Sequence, residues 1–166
     1  METVRFEVHF ERFSGDASGS DTCLFMIAPN PGMPLRPLYD IASGGEMSRI
    51  MLAIKTILSG AGDVDTLIFD EIDTGIGGLV LTTVADKLEA LSQREQVICV
   101  THAPSIAARA DRNFYIEKSA VDGITETNVT MLDSEEAVIR EVARMSGSVD
   151  EWQMEHAKRL REAKKY

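Results

Sequence analysis

The sequence predicts an α/β fold with a parallel core, because two short apolar strands flank an amphipathic helix. The first strand covers residues 67–69, and the second, VICV, covers residues 97–100. Between them lie four apolar residues at helical spacing: Val80, Val84, Leu88 and Leu91. A strand, a helix and a second strand in this order indicate a βαβ crossover, in which both strands end at the same edge of one sheet.

The composition is that of a folded domain. The chain has 166 residues, of which 44% are hydrophobic and 27% charged, enough for one domain with a core. No apolar run approaches the roughly 20 residues that span a bilayer, and the first ten residues do not resemble a signal peptide. The formal net charge of −10 argues against a broad basic face for nucleic acid. Cys23 and Cys99 lie far apart, which predicts buried free thiols in a reducing compartment.

The N-terminal segment predicts an antiparallel hairpin. Apolar and polar residues alternate over residues 4–10, which is typical of a half-buried strand. Residues 13–22 are rich in Gly, Ser and Asp and predict a loop, and residues 23–28 predict the paired strand. Residues 29–37 contain four prolines, so this lead-in must be extended and irregular.

The C-terminal segment predicts two closing strands and three helices. Ser134 is the expected cap of the helix over residues 134–145, and Trp152 is the expected apolar anchor of the last helix. The other predicted elements are a short helix over residues 105–109, strands over residues 113–117 and 124–131 joined by a turn at Gly123, and a charged helix over residues 149–166.

A glycine pair opens the predicted helix in residues 41–60. Ser43 and Glu46 fit a capping box, S-x-x-E, so Ser43 as a plain helix cap is one interpretation. However, Gly44 and Gly45 each cost about 1 kcal/mol relative to Ala inside a helix. They are better explained if a ligand approaches the backbone closely, because bare N–H groups at a helix start attract anions. A phosphate contact is therefore the favoured interpretation.

Acidic residues follow the first core strand, and a histidine follows the second. Asp70 and Glu71 come directly after the strand, Asp73 comes two residues later, and His102 follows VICV and Thr101. Ligands of open α/β sheets bind at this edge. One carboxylate could hold Mg²⁺ and another could orient an attacking water, although a solvated acidic turn is the alternative.

These motifs resemble those of ABC-type ATPases in their order along the chain. SGGE before a helix resembles the signature motif, the strand ending in DE resembles Walker B, and TH after a strand resembles the switch histidine. The longer stretches IASGGEMSRIMLAIK, TLIFDEIDTGI and QVICVTHAPSIAA resemble the RecN family of SMC-like ATPases, which act in bacterial DNA repair and recombination. The resemblance covers most of the chain.

The resemblance implies a role for each candidate residue and a set of partners. Asp70 would hold Mg²⁺, Glu71 would be the catalytic base and His102 would contact the γ-phosphate of ATP. Asp73, in the D-loop position, would communicate across a dimer of two heads. The other partner would be DNA, bound through the full-length protein in the cytoplasm at the nucleoid. The residues that would meet ATP on the opposite head are Ser43, Gly44, Gly45 and Glu46.

One family motif does not occur in these 166 residues. No G-x-x-x-x-G-K-[ST] phosphate loop is present, and in the family that loop lies in an N-terminal lobe followed by a coiled coil. The resemblance therefore implies a partial P-loop NTPase fold: one C-terminal lobe over residues 1–166 that needs the Walker A lobe as its partner. Its expected parts are residues 1–37, 38–132 and 133–166. We predict that the chain alone does not hydrolyse ATP.

Three alternative functions remain open at this point. The ABC motifs could belong to the nucleotide-binding domain of a transporter. The chain could be a non-catalytic module that dimerises with nucleotide, in which case Glu71→Gln would leave biological activity unchanged. A metal hydrolase could use Asp70, Glu71, Asp73 and His102, although the sequence lacks the spacing typical of a tight transition-metal site.

Overall fold

The computed structural model describes residues 4–17, 19–40, 43–58, 64–121 and 124–164. The chain divides into two compact units, Met1–Met47 and Ser48–Tyr166. The single domain over residues 1–166 and its three parts remain a prediction. Among the helices of the described ranges, none has the length and apolar character needed to cross a membrane.

The first unit contains the antiparallel hairpin predicted from the sequence. Strand β1 covers Arg5–Asp16, β2 covers Gly19–Ala28, and a short β3 covers Arg36–Pro37, in the sheet order β1-β2-β3. A loop over residues 13–22 was expected, and this is wrong, because Asp16 still pairs with Gly19 across a tight turn. The expected half-buried β1 is also wrong, since every residue of β1 is exposed.

Two glycines make the tight turn of this hairpin possible. Gly15 has φ of 84° and Gly19 has φ of 131°, both in the region that side chains with a Cβ rarely adopt. The Gly-rich composition therefore marks the turn itself rather than a long loop. The proline-rich lead-in over residues 29–37 is irregular as predicted, apart from β3, and the 3₁₀ turn Leu38–Asp40 follows it.

The second unit contains the βαβ crossover. Helix α1, Gly44–Leu58, precedes strand β4, Thr66–Phe69; helix α2, Gly78–Leu91, connects β4 to strand β5, Gln96–Cys99. Strands β4 and β5 are parallel neighbours, which confirms the parallel pair predicted from the sequence. Residues 59–63, between α1 and β4, lie outside the described residues.

The core around this crossover covers one face of the β4–β5 pair. Leu67 and Phe69 of β4 are buried together with apolar residues of α1 and α2. The two strands predicted from the sequence are wholly apolar, but on the other face of the pair Ile68 is 70% exposed and Ile98 is 45% exposed. In the part of the second unit that the structure describes, the face that carries Ile68 and Ile98 is left exposed.

The rest of the second unit forms a separate small core. It contains α3, Pro104–Ala107, the antiparallel strands β6, Asn113–Val121, and β7, Ile124–Leu132, and the helices α4, Glu135–Met145, and α5, Glu151–Glu162. The predicted cap is confirmed, because the Ser134 hydroxyl accepts a hydrogen bond from the amide of Ala137 at 3.2 Å. The predicted turn residue Gly123 lies outside the described ranges.

Two expectations about single residues are wrong. Trp152 does not anchor α5 in the core: it is 70% exposed and stacks on His156, while the small Ala157 is the buried residue of that helix. Cys23 is exposed and Cys99 is half-buried, so only Cys99 approaches the buried thiol predicted; both are free.

Candidate functional site

The candidate site lies where β4 and β5 end together. Phe69 pairs with Cys99 in the parallel register, and the amide of Val100 donates a hydrogen bond to the carbonyl of Phe69 at 2.9 Å. The segments that carry Asp70 and His102 therefore leave the sheet at the same edge. This shared edge is the topological feature that the sequence predicted.

A tight turn after β4 presents the acidic residues. Asp70 and Glu71 are exposed, and the amide of Thr74 donates to the carbonyl of Glu71 at 3.0 Å. Glu71 has φ of 56°, and among the described residues it is the one non-glycine with positive φ. Such a conformation costs about 1–3 kcal/mol and is found where surrounding structure enforces it, often at functional sites. The strain falls on the residue expected to be the catalytic base.

Asp73 turns inward and bonds to the segment after β5. Asp73 is only 3% exposed, and three groups of the segment after β5 approach one of its carboxylate oxygens, Oδ2. The hydroxyl of Thr101 donates to Oδ2 at 2.6 Å, the amide of His102 donates at 2.9 Å, and His102 Nδ1 lies 3.2 Å away. These contacts connect the two loops that follow the parallel strands.

These contacts keep Asp73 ionised in spite of its burial. Burial alone would raise the pKa of Asp73, but the hydrogen bonds from Thr101 and from the amide of His102, with the nearby imidazole, lower that pKa below its ordinary value. The pKa of the neighbouring thiol, that of Cys99, is shifted in the opposite direction. Burial and the charges of Asp73 and Asp70 raise the pKa of Cys99 to about 12, so this cysteine is not a thiolate nucleophile at neutral pH.

Two residues of α1 that the sequence analysis did not single out support the acidic turn. The hydroxyl of Ser48 donates to the carbonyl of Asp70 at 2.7 Å. Arg49 Nη1 donates to the carbonyls of Ile72 at 3.1 Å and Thr74 at 2.8 Å. A signal was present in the sequence, because a polar Ser-Arg pair interrupts the apolar pattern of α1.

The signature-like residues form the capped helix start that the sequence predicted. The amide of Glu46 donates to the Ser43 hydroxyl at 3.2 Å. Gly44 and Glu46 are exposed, whereas Gly45 is buried. These residues belong to the first unit and the acidic turn belongs to the second. A joint site of the two segments therefore remains a prediction.

The residues at the edge fit Mg²⁺ brought in with a nucleotide. Asp70 and Glu71 are exposed oxygen donors, and Mg²⁺ in nucleotide sites is held by one or two carboxylates together with phosphates and water. Within the part of the chain that the structure describes, no group of three or more His, Cys, Asp or Glu side chains could hold a metal by itself.

The chain is similar in sequence to curated bacterial proteins. The chain is 46% identical over 167 residues to the DNA repair protein RecN of Halalkalibacterium halodurans, covering 96% of this chain and 29% of that protein. It is 48% identical over 132 residues to RecN of Xylella fastidiosa, covering 80% of this chain and 24% of the relative. The chain matches the C-terminal part of RecN. No protein-family model matches the chain.

The RecN match confirms the resemblance read from the motifs, and the fold agrees with it. The Smc head domain with a coiled coil and joint from Pyrococcus yayanosii aligns with a TM-score of 0.59 at 24% identity, covering 86% of this chain and 26% of that one. The partial ATPase-head fold is thereby confirmed. The chain spans 24% of the length of the Xylella fastidiosa relative and 29% of that of the Halalkalibacterium halodurans relative. The activity of a complete RecN protein therefore depends on more of the protein than the part that this chain matches.

Proposed function

We propose that the chain is the C-terminal half of an ATP-binding and ATP-hydrolysing head in a RecN-like protein of DNA double-strand break repair and recombination. The observation that carries this proposal is the parallel register of β4 and β5, which places the segments of Asp70, Glu71 and His102 at one sheet edge. The relatives named RecN support the biological setting, which would be the cytoplasm at the nucleoid.

The three residues at this edge have separate roles in ATP hydrolysis. Asp70 holds Mg²⁺, which neutralises charge on the phosphates of ATP when bound. Glu71 orients and deprotonates the attacking water, and its exposed carboxylate on a constrained backbone suits that task. His102, whose side chain is 81% exposed, contacts the γ-phosphate.

The helix start at Ser43 acts on a second head. Ser43, Gly44, Gly45 and Glu46 meet the γ-phosphate of ATP bound to the opposite subunit, so that ATP joins two heads into a dimer. An exposed glycine at the start of a capped helix leaves its backbone N–H groups open to an anion. Asp73 communicates across this dimer through the turn that it anchors.

The first proposed partner of this chain is the lobe that carries the Walker A phosphate loop. Parallel sheets occur almost only with both faces covered. The β4–β5 pair instead exposes one apolar face, formed by Ile68, Ile98 and Val100. The Walker A lobe covers this face and supplies the phosphate loop, while DNA binds through the longer protein.

The experiment compares Glu71→Gln with Glu136→Gln in the full-length protein. Glu136 is exposed on the first turn of α4 and serves as the matched control. We expect Glu71→Gln to abolish ATP turnover while ATP binding is retained, and Glu136→Gln to behave as wild type. We also expect the isolated chain not to turn over ATP.

Each result has a clear consequence. Undiminished turnover by Glu71→Gln would show that Glu71 is not the base. Loss of turnover with intact DNA repair would favour the non-catalytic dimerisation module. Turnover by the isolated chain that is lost in Glu71→Gln would contradict the need for a second lobe.

A further inference from the structure

We propose that Asp73 is a positioning residue for His102: it fixes the ring with its Nδ1–H toward the protein and its Nε2 toward solvent. This inference adds a role within one chain to the cross-dimer role of Asp73. It depends on the proposed function only where ATP turnover is measured.

The geometry allows one carboxylate oxygen to fix both the backbone and the ring of the same residue. Asp73 Oδ2 accepts from the amide of His102 at 2.9 Å and lies 3.2 Å from Nδ1 of the same histidine. The Thr101 hydroxyl donates to the same oxygen at 2.6 Å and accepts from the amide of Ala103 at 3.0 Å. The start of the loop after β5 is thus tied to the turn after β4.

Asp73 and His102 differ strongly in burial, and this difference shows which of the two side chains faces solvent. The Asp73 side chain is 1% exposed, whereas the His102 side chain is 81% exposed. The carboxylate therefore lies on the protein side of the contact, and the imidazole ring projects from it toward solvent. A side chain that is so exposed would sample several rotamers without such an anchor, and each anchored contact reduces that freedom.

The chemistry of the two groups decides which nitrogen carries the proton. An ionised carboxylate only accepts hydrogen bonds, and a neutral imidazole has one donor and one acceptor nitrogen. If Nε2 carried the proton, the Nδ1 lone pair would face the Asp73 oxygen and repel it. Nδ1 therefore carries the proton, as is usual when a second residue orients a histidine.

This arrangement prepares His102 for an anion. With Nδ1–H facing Asp73, Nε2 is the nitrogen available on the exposed side of the ring. In the neutral ring Nε2 carries only a lone pair, so Nε2 donates to a phosphate oxygen after it has taken up a proton from solvent, and the buried carboxylate of Asp73 balances the resulting positive charge. Asp73 thus acts on a phosphate through His102 rather than by touching it.

Nitrogen-15 NMR of the histidine rings tests the proposal on this chain without nucleotide. At a pH where the rings are neutral, we expect His102 to show the Nδ1–H tautomer. His9 is an internal comparison, because its Nε2 lies 3.0 Å from a carboxylate oxygen of Glu7, so its ring should show the opposite tautomer. A wild-type His102 in the Nε2–H form would overturn the proposal whether or not any variant folds.

Two variants separate positioning from a merely structural role. Asp73→Asn keeps the size of the side chain but removes its charge, and we expect the His102 ring to move toward the Nε2–H tautomer. Thr101→Ser keeps the hydroxyl and should leave the tautomer as in wild type. A ring that stays Nδ1–H in Asp73→Asn would also overturn the proposal.

ATP turnover of the full-length protein supplies a second, independent readout. We expect Asp73→Asn to lower kcat by about 10- to 100-fold, the usual loss when a residue that orients a functional side chain is removed, with little change in KM. An unchanged kcat would overturn the proposal. If the wild-type protein hydrolyses no ATP at all, the proposed function fails, while the NMR result still decides the role of Asp73.

Discussion

Among its described residues, the second unit buries the carboxylates of Glu89 and Asp73 and neutralises them in different ways. The side chains of Glu89 and Asp73 are each 1% exposed. Glu89 on α2 receives a charged partner, because Arg109 Nη1 lies 2.7 Å from its carboxylate and the arginine side chain is 9% exposed. Asp73 receives a hydroxyl, a backbone amide and one histidine ring.

The difference separates a structural acid from a functional one. Arginine stays charged at every accessible pH, so the Glu89–Arg109 pair is a permanent connection between α2 and the segment after α3. The partners of Asp73 instead lie at the sheet edge, where a hydroxyl, a backbone amide and an exposed imidazole meet its carboxylate. Burial of an acid therefore does not identify a functional site, whereas the nature of its partners does.

Removing the permanent charge should have the largest effect on stability. Arg109→Met removes a cation whose Nη1 lies 2.7 Å from the Glu89 carboxylate and 2.6 Å from that of Asp86, and breaking a buried ion pair by removing one partner typically costs about 3–5 kcal/mol. Urea unfolding measures the loss, and Arg112→Met, at an exposed position three residues later, should stay within about 0.5 kcal/mol of wild type. A loss below about 1 kcal/mol in Arg109→Met would show that the pair is not structural.

Asp73 should contribute less, and its contribution should depend on pH. The folded pKa of Asp73 is lowered from its ordinary value of 3.8. The stabilisation is therefore complete above the unfolded pKa and is lost as the pH falls below 3.8 toward the folded pKa. Hydrogen bonds to a charged group contribute about 1.5–3 kcal/mol, so Asp73→Asn should cost about that much at neutral pH.

Urea unfolding of wild type and Asp73→Asn over a range of pH checks this sign. Other acidic groups cancel in the difference between the two proteins. The gap between their free energies of unfolding should be constant above about pH 5 and should narrow below it. A gap that widened on acidification would mean that the carboxylate is protonated in the folded chain.

The sequence was sufficient for the core and for the edge of the sheet, because both follow from periodicity and topology. An apolar strand, a helical stripe and a second apolar strand leave little choice but a parallel pair. The sequence was not sufficient for Trp152 or Ile68, because hydrophobicity predicts burial only where another element is available to pack against. In this chain the smaller Ala157 takes the core position on α5.

The contacts inside the site could not be predicted from the sequence, for a different reason. Whether Asp73 points inward depends on the dihedral angles of the turn after β4, above all the positive φ of Glu71. No pattern of residue types predicts that conformation. The carbonyls that Arg49 contacts, those of Ile72 and Thr74, also converge only because this turn folds back on itself.

Thr101 offers a smaller test of the same network. Thr101→Val keeps the shape of the side chain and removes the hydroxyl that bonds Asp73 and Ala103. A lost hydrogen bond to a buried charge should destabilise the chain by about 1–3 kcal/mol, and Thr101→Ser should recover most of it. If the Thr101→Val and Asp73→Asn losses simply added in the double variant, the two side chains would not be coupled.

The smallest effect should come from an exposed ion pair with better geometry than the buried one. Arg144 Nε and Nη2 each donate to Glu141 at 2.7 Å, and the guanidinium lies 5.4 Å from the Tyr115 ring centroid. The Arg144 side chain is 55% exposed and that of Glu141 is 20% exposed, so water screens this pair more than the Arg109–Glu89 pair, and Arg144→Ala should cost only about 0.5–1 kcal/mol by urea unfolding. The loss should shrink further in high salt, which screens exposed charges but not buried ones. A loss as large as that of Arg109→Met would mean that bidentate geometry, rather than burial, decides what an ion pair contributes in this protein.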